Sequence, residues 1–162
     1  MSTAKAEYQK TFRSPFKIWM FFMSRLPSLA WWGVKIQSID DDACVATIPF
    51  TWRTQNPFKS IYFAAQAGAA EISTGVLVQA AFQGRGSWSM LVTECRSEFT
   101  AKATSKIEFR CDDGQRLADL IDEIERVGEP RKIELVSTGT DTSGKIVSKF
   151  YLTWSLKKRE QK

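Results

Sequence analysis

The stretch Ile61-Tyr62-Phe63-Ala64-Ala65-Gln66-Ala67-Gly68-Ala69-Ala70-Glu71-Ile72-Ser73-Thr74-Gly75-Val76-Leu77-Val78-Gln79-Ala80-Ala81-Phe82 carries one charge, Glu71, among small and aliphatic side chains. It contains no proline, and as a helix rising 1.5 Å per residue it would be about 33 Å long, enough to cross a bilayer. Glu71, Gln66, Ser73, Thr74 and Gln79 make it a poor membrane span. A helix that is apolar nearly all round in a soluble domain is a buried one, and its many small residues let neighbouring strands approach its backbone. The stretch therefore reads as a central helix with a sheet wrapped around it.

Outward toward the N-terminus, residues 33–50 read as a β-hairpin. Val34 and Ile36 alternate on one arm, Cys44, Ala46, Ile48 and Phe50 on the other, and Asp40-Asp41-Asp42 form a polar turn between them. The aspartates lack the alternate spacing, glycine and distal glutamate of a calcium loop. Ser14-Pro15 opens a further helix rich in large apolar groups, with a stop at Pro27. Together with Trp31 and Trp32 it forms a helical extension over about residues 14–32. Lys17, Arg25 and Pro27 interrupt it too soon for a signal peptide or a span. It is expected to dock on the domain or on a second subunit; the alternative is contact of Trp19, Phe22, Trp31 and Trp32 with a membrane surface.

Toward the C-terminus, the turn Gly84-Arg85-Gly86 leads into a strand alternating at Trp88, Met90 and Val92, and a second alternates at Ala103, Ser105, Ile107, Phe109 and Cys111. Asp113 is placed to cap a short helix whose apolar stripe is Leu117, Leu120, Ile121 and Ile124. A final hairpin, 133–140 and 145–156, turns at Asp141-Thr142-Ser143-Gly144 and puts Ile146, Phe150, Leu152, Trp154 and Leu156 on one face. No repeat or linker divides the 162 residues, so the expectation is one domain spanning 1–162, of the α+β class, with an antiparallel β-sheet wrapped around a long central helix.

The chain has no histidine. That excludes Ser-His-Asp and Cys-His nucleophile pairs, a histidine general base and imidazole-dependent zinc sites. Cys44, Cys95 and Cys111 form no C-x-x-C pair and are odd in number, which argues against a disulfide framework or thiolate metal site and for a reducing, cytoplasmic setting. The net charge of +5 is scattered, with only Lys157-Lys158-Arg159 as a short run, so nucleic acid is not an expected partner. With no histidine to activate it, Cys95 reads as a packed thiol.

Glu71 is where the pattern reaches chemistry, because a lone carboxylate in an apolar helix must be paired, hydrated or functional. Its helical neighbours Ala64, Ala67, Gly68, Thr74, Gly75 and Val78 are mostly small and leave room for a water and a substrate. The structural alternative is an ion pair with Arg96 or Arg110. Thioester hydrolysis needs no histidine, since a carboxylate serves as general base on water or attacks the carbonyl itself. Backbone N–H groups in the first turn of the helix, near Tyr62, Phe63 and Ala64, would hold the developing oxyanion. One helix spreads these groups too far apart for one carbonyl; two helices from two subunits would bring them together.

The stretch Asn56-Pro57-Phe58-Lys59-Ser60-Ile61-Tyr62-Phe63-Ala64, followed by Glu71, resembles the hotdog-fold thioesterases of the phenylacetate-degradation type, and nearest among them the hotdog family called domain of unknown function 4442. Their pattern has an Asn, then a Gly, a His-Gly-Gly and an acidic residue fifteen positions after the Asn. Asn56 and Glu71 keep that spacing, while Lys59 stands at the Gly, Tyr62 at the His, and Phe63 and Ala64 at the Gly pair. The resemblance implies an acyl-CoA thioesterase in which Asn56 orients the water or the thioester carbonyl and Glu71 is base or nucleophile. Phe63 and Ala64 would form the oxyanion hole through their N–H groups, and Tyr62, Gln66 and Thr74 would touch substrate.

It further implies a strand over 92–99 lining an acyl tunnel, a homodimer with sites at the subunit interface, at times paired into a tetramer, and an acyl group carried on coenzyme A or acyl carrier protein. Coenzyme A would be part of the substrate; no separate cofactor and no metal is expected. Lys59, Arg96, Lys102 and Lys106 are candidates for its phosphates. A second reading is a non-catalytic acyl-CoA or fatty-acyl binding protein in which Glu71 is only a hydrogen-bonded carboxylate, and a third an interaction scaffold.

Overall fold

The uncharged stretch folds as a helix over Phe63–Ala81, trimmed at both ends relative to the apolar run. The cause at its start is local: the Ile61 N–H bonds the Ala103 carbonyl at 2.8 Å and the Tyr62 N–H bonds the Thr54 carbonyl at 2.7 Å, which ties both residues to loops. At its end, Gly84 and Gly86 take φ of 77° and 92°, a left-handed turn that stops the helix. The computed structural model describes residues 3–12 and 14–159. In chain order the elements are α1 (Thr3–Thr11), α2 (Pro15–Arg25), α3 (Pro27–Trp32), β1 (Lys35–Ile39), β2 (Cys44–Ile48), α4 (Phe63–Ala81), β3 (Trp88–Phe99), β4 (Ile107–Cys111), α5 (Gly114–Val127), β5 (Arg131–Thr140) and β6 (Ile146–Lys158).

The strands form one antiparallel sheet in the order β1-β2-β4-β5-β6-β3. Helix α4 packs on its central strands β2, β4, β5 and β6, as a hotdog fold requires. Phe109, Leu135, Phe150 and Leu156 are fully buried in that layer, each removing apolar surface worth about 1.5–3 kcal/mol from water. The polar residues of α4 that face the sheet are all paired. Gln66 accepts from the Ser148 hydroxyl at 2.9 Å, Ser73 and Ser137 share a 2.8 Å hydrogen bond, and the Trp154 indole donates to Thr74 Oγ1 at 3.1 Å. These pairs satisfy groups that would otherwise be costly so deep in the core.

Several boundaries differ from the sequence expectation. The N-terminal extension begins earlier than about residue 14, because α1 precedes it. That helix buries none of its residues, so it carries no apolar stripe to read; Tyr8 fastens it by donating to Gln79 Oε1 at 2.7 Å. The strand expected from Ala103 is regular only from Ile107, since the Ala103 carbonyl is spent on Ile61 outside the sheet. Ile146 is exposed, not part of the buried face of β6: the register shifts where Thr140 meets Ile146, and Val147 turns inward in its place. Asp113 does occupy the N-cap position of α5, but its carboxylate makes no capping bond and instead accepts the Val136 N–H at 2.9 Å. The aspartate turn is polar as expected, with Asp40 Oδ1 accepting from the N–H groups of Asp42 and Ala43.

Strand β3 is the long one, twelve residues at an edge of the sheet, paired to β6 on one side only. It covers the 92–99 segment, and most of it faces solvent.

Candidate functional site

Glu71 lies mid-way along α4, half-buried, with its carboxylate facing a cavity of about 660 Å³. That volume suits an organic ligand. The walls come from four elements: Tyr8 and Phe12 of the N-terminal α1 region, Ile18, Phe21 and Leu26 in and just after α2, Gly75 and Val76 of α4, and Met90 of β3. Lys17 and Arg25 are the cations at its rim. Among the described residues none forms an ion pair with Glu71. Arg96 pairs with Glu98 and stands 3.6 Å over the Tyr151 ring, and Arg110 pairs with Asp112, so neither offers the structural explanation of the carboxylate.

Burial alone raises the Glu71 carboxyl above its ordinary value. Desolvation disfavours the charged form and is the cause of the shift. Such a group takes up a proton more readily than a surface carboxylate, the direction asked of a general base. Gly75, one turn on, keeps the space beside it open: a β-carbon there would stand 3.4 Å from Glu71 Oε1.

Asn56 sits elsewhere, in a recess of about 400 Å³ with Ser60, Phe63, Lys102 and Ala103. Its side chain organises the loop before α4. Oδ1 accepts the N–H groups of Phe58 at 2.9 Å and Ser60 at 3.2 Å, while Nδ2 donates to Ser60 Oγ at 3.1 Å. The loop turns at Lys59, whose φ of 58° is the only positive value outside glycine among the described residues. This is the position at which the resembling family has glycine, and the left-handed backbone explains that choice. Phe63 and Ala64 open α4, where N–H groups have no acceptor within the helix. The recess therefore joins Asn56, the free helix end and Lys102.

Within one chain, then, Glu71 borders one cavity and Asn56 and Phe63 border another, while Ala64 lines neither. The remaining expected residues line neither. Tyr62 is exposed, packed edge-on against Phe63 at 5.0 Å. Gln66 is buried and fully engaged, donating to the Ile61 carbonyl at 3.0 Å and accepting from Ser148; Thr74 is held between Trp154 and the Glu71 carbonyl. Lys59 and Lys106 are exposed, as is Arg96. Cys95 is exposed on β3, not packed. Lys17, Arg25, Tyr8 and Phe12, which border the carboxylate's cavity, were not singled out from the sequence as site residues; they belong to the N-terminal helices, whose placement beside that cavity has no local signature. Among the described residues there is no cluster of three metal-binding side chains, and no helix is long and apolar enough to cross a membrane.

Solved structures share this architecture. A protein of unknown function from Chlorobaculum tepidum TLS is 22% identical, with 90% of this chain and 98% of that one covered and a TM-score of 0.74. A Pseudomonas aeruginosa protein of unknown function, described as a probable thioesterase, is 19% identical over 90% and 97% of the two chains, with a TM-score of 0.75. A thioesterase from Haemophilus influenzae is 14% identical over 88% and 90%, with a TM-score of 0.64. A search of curated proteins finds no match. At these identities the likeness is one of fold, and the family is shown by the sequence itself: the model of the domain of unknown function DUF4442 matches residues 17–156, and the chain belongs to that family.

Proposed function

We propose that the protein is a thioester hydrolase acting on an acyl group carried by coenzyme A or acyl carrier protein, in the cytoplasm. The observation that carries this reading is Glu71: a half-buried carboxylate with no ion-pair partner among the described residues, facing a largely apolar cavity in a protein with no histidine. The ionised carboxylate takes a proton from water as it attacks the thioester carbonyl, or attacks that carbonyl itself to form an anhydride that water then opens. The N–H groups of Phe63 and Ala64 stabilise the oxyanion, aided by the positive end of α4. Asn56 holds the loop that leads into those donors, and Lys102 beside it meets a phosphate of the carrier.

Because the two halves border separate cavities in one chain, the working site is assembled by two subunits, with Asn56 and the start of α4 facing the partner subunit's Glu71. The exposed edge of β3 supports a homodimer, since a long unpaired strand is a ready surface for continuing the sheet across a two-fold axis.

The test is release of free coenzyme A from short, medium, long and aromatic acyl-CoA esters by the wild type, Glu71→Gln and Asn56→Ala. Both variants should be inactive alone. Mixed in equal amounts under subunit exchange they should regain about a quarter of wild-type turnover, since half the dimers then hold one intact site of two. Turnover that survives Glu71→Gln sinks the mechanism. Acyl-CoA binding without turnover in the wild type would favour the non-catalytic acyl-binding reading.

A further inference from the structure

The stripe Phe16, Trp19, Met20 and Met23 follows helical spacing along α2, and all four side chains point into solvent, Phe16 67% and Trp19 52% exposed. Phe16 and Trp19 stack with centroids 6.4 Å apart, so the stripe is a continuous apolar surface. The opposite face of the same helix is also apolar: Ile18 and Phe22 are buried against the domain. A helix in contact with water on one side normally shows polar groups there. This one does not, and the outer face calls for a cover.

Charge identifies the cover. Between Glu7 and Asp40 the sequence contains no acidic residue, while Lys10, Arg13, Lys17, Arg25 and Lys35 all fall in it. Lys10, Lys17, Arg25 and Lys35 are exposed, and among the described residues none of these four is in an ion pair. A second copy docked through this face about a two-fold axis would set cations against their own counterparts. An anionic surface would not. Trp, Phe and Met on one face of a short helix, with a Lys at its edge and no carboxylate, is the chemistry of a helix lying in the headgroup layer of a bilayer.

We infer that α2 is a docking helix for an anionic membrane surface, inserting Phe16, Trp19, Met20 and Met23 among the lipids while Lys17, at the edge of that stripe, meets lipid phosphates. The protein binds peripherally and spans nothing. One consequence rests on the proposed hydrolysis: Ile18 and Phe21, also on α2, wall the cavity that holds Glu71, so a docked helix sets that cavity beside the acyl chains of the bilayer. The docking itself needs no catalysis, and its test uses no thioester.

The full-length protein is sedimented with extruded vesicles of phosphatidylcholine alone and of phosphatidylcholine mixed with phosphatidylglycerol. Wild type should pellet with the anionic vesicles, weakly or not at all with the neutral ones, and less as salt is raised. The double variant Trp19→Ser, Met20→Ser should lose about tenfold or more in affinity with its thermal stability unchanged, because both side chains face water. No binding to anionic vesicles, or equal binding by wild type and the double variant, overturns the inference. Larger species in ultracentrifugation of the wild type without lipid, absent from the double variant, would assign the stripe to a second copy and also overturn it. Loss of hydrolysis in Glu71→Gln with vesicle binding intact would show that the two readings stand separately.

Discussion

Glu71 and Gly75 are coupled through space one turn apart on α4: a β-carbon on the glycine would stand 3.4 Å from Glu71 Oε1 and 3.3 Å from the Trp154 ring. The second contact is tighter than most real ones, and Trp154 is fixed by its bond to Thr74. Gly75→Ala gains up to about 1 kcal/mol of helix propensity and loses a comparable part to crowding the indole. Thermal unfolding should therefore show a shift of only a few degrees, while thioester turnover falls because the methyl group fills the space beside the carboxylate. Unchanged turnover would mean that the space over Gly75 is not part of the reacting site.

Removing the charge of Glu71 should stabilise the fold and end the reaction. The folded-state pKa is raised by burial, so the folded protein holds this proton more tightly than the unfolded chain. The penalty for ionising it is absent below the unfolded value, sets in as pH rises through that value and is complete above the folded one. Glu71→Gln should therefore raise the melting temperature at neutral pH, with the difference vanishing in acid. Turnover should fall by on the order of 10²–10⁴-fold, and in the wild type it should rise with pH along a limb lying above the usual carboxylate range. Melting curves and pH–rate profiles of the two proteins decide both points.

Lys59 holds a left-handed backbone at φ 58°, which costs a non-glycine residue about 1–2 kcal/mol. Lys59→Gly should relieve that strain, less some entropy lost by the freer unfolded chain, for a net gain of about 0.5–1 kcal/mol. Lys59→Ala keeps the β-carbon and should give nothing. Urea unfolding of the pair distinguishes a backbone effect from loss of the lysine charge.

Legibility in the sequence followed the range of the forces involved. The central helix, the aspartate turn and the alternating strands could be read because burial periodicity is local. Ile146 broke its pattern because a register shift at Thr140 is decided across the hairpin, and α1 was invisible because it buries nothing and is held by polar contacts, Tyr8 to Gln79 and Lys5 and Gln9 to Asp41. Glu71 stood out as the one charge in its helix. Its cavity did not, since Lys17, Arg25 and Phe12 come to it only when the N-terminal helices dock. Asn56 was singled out by the resemblance to the hotdog thioesterase pattern, but its hydrogen bonds to the Phe58 and Ser60 N–H groups depend on a turn that the pattern does not describe.

Asp113 offers a last test of how position and role diverge. It stands at the N-cap of α5, where a carboxylate ordinarily accepts from the first turn, yet Oδ2 reaches across to the Val136 N–H at 2.9 Å while Oδ1 pairs with Arg116 at 2.5 Å. Strands β4 and β5 stop pairing at Arg110 and Thr138, so the carboxylate takes over where the ladder ends. Asp113→Ala leaves the Val136 donor without its partner, at a cost of about 1–3 kcal/mol. Asp113→Asn keeps an acceptor oxygen and loses mainly an exposed ion pair, worth about 0–1 kcal/mol. Urea midpoints should fall in that order, and amide exchange at Val136 should accelerate in Asp113→Ala far more than in Asp113→Asn. Equal exchange in the two variants would mean that Val136 owes its protection to something other than this carboxylate.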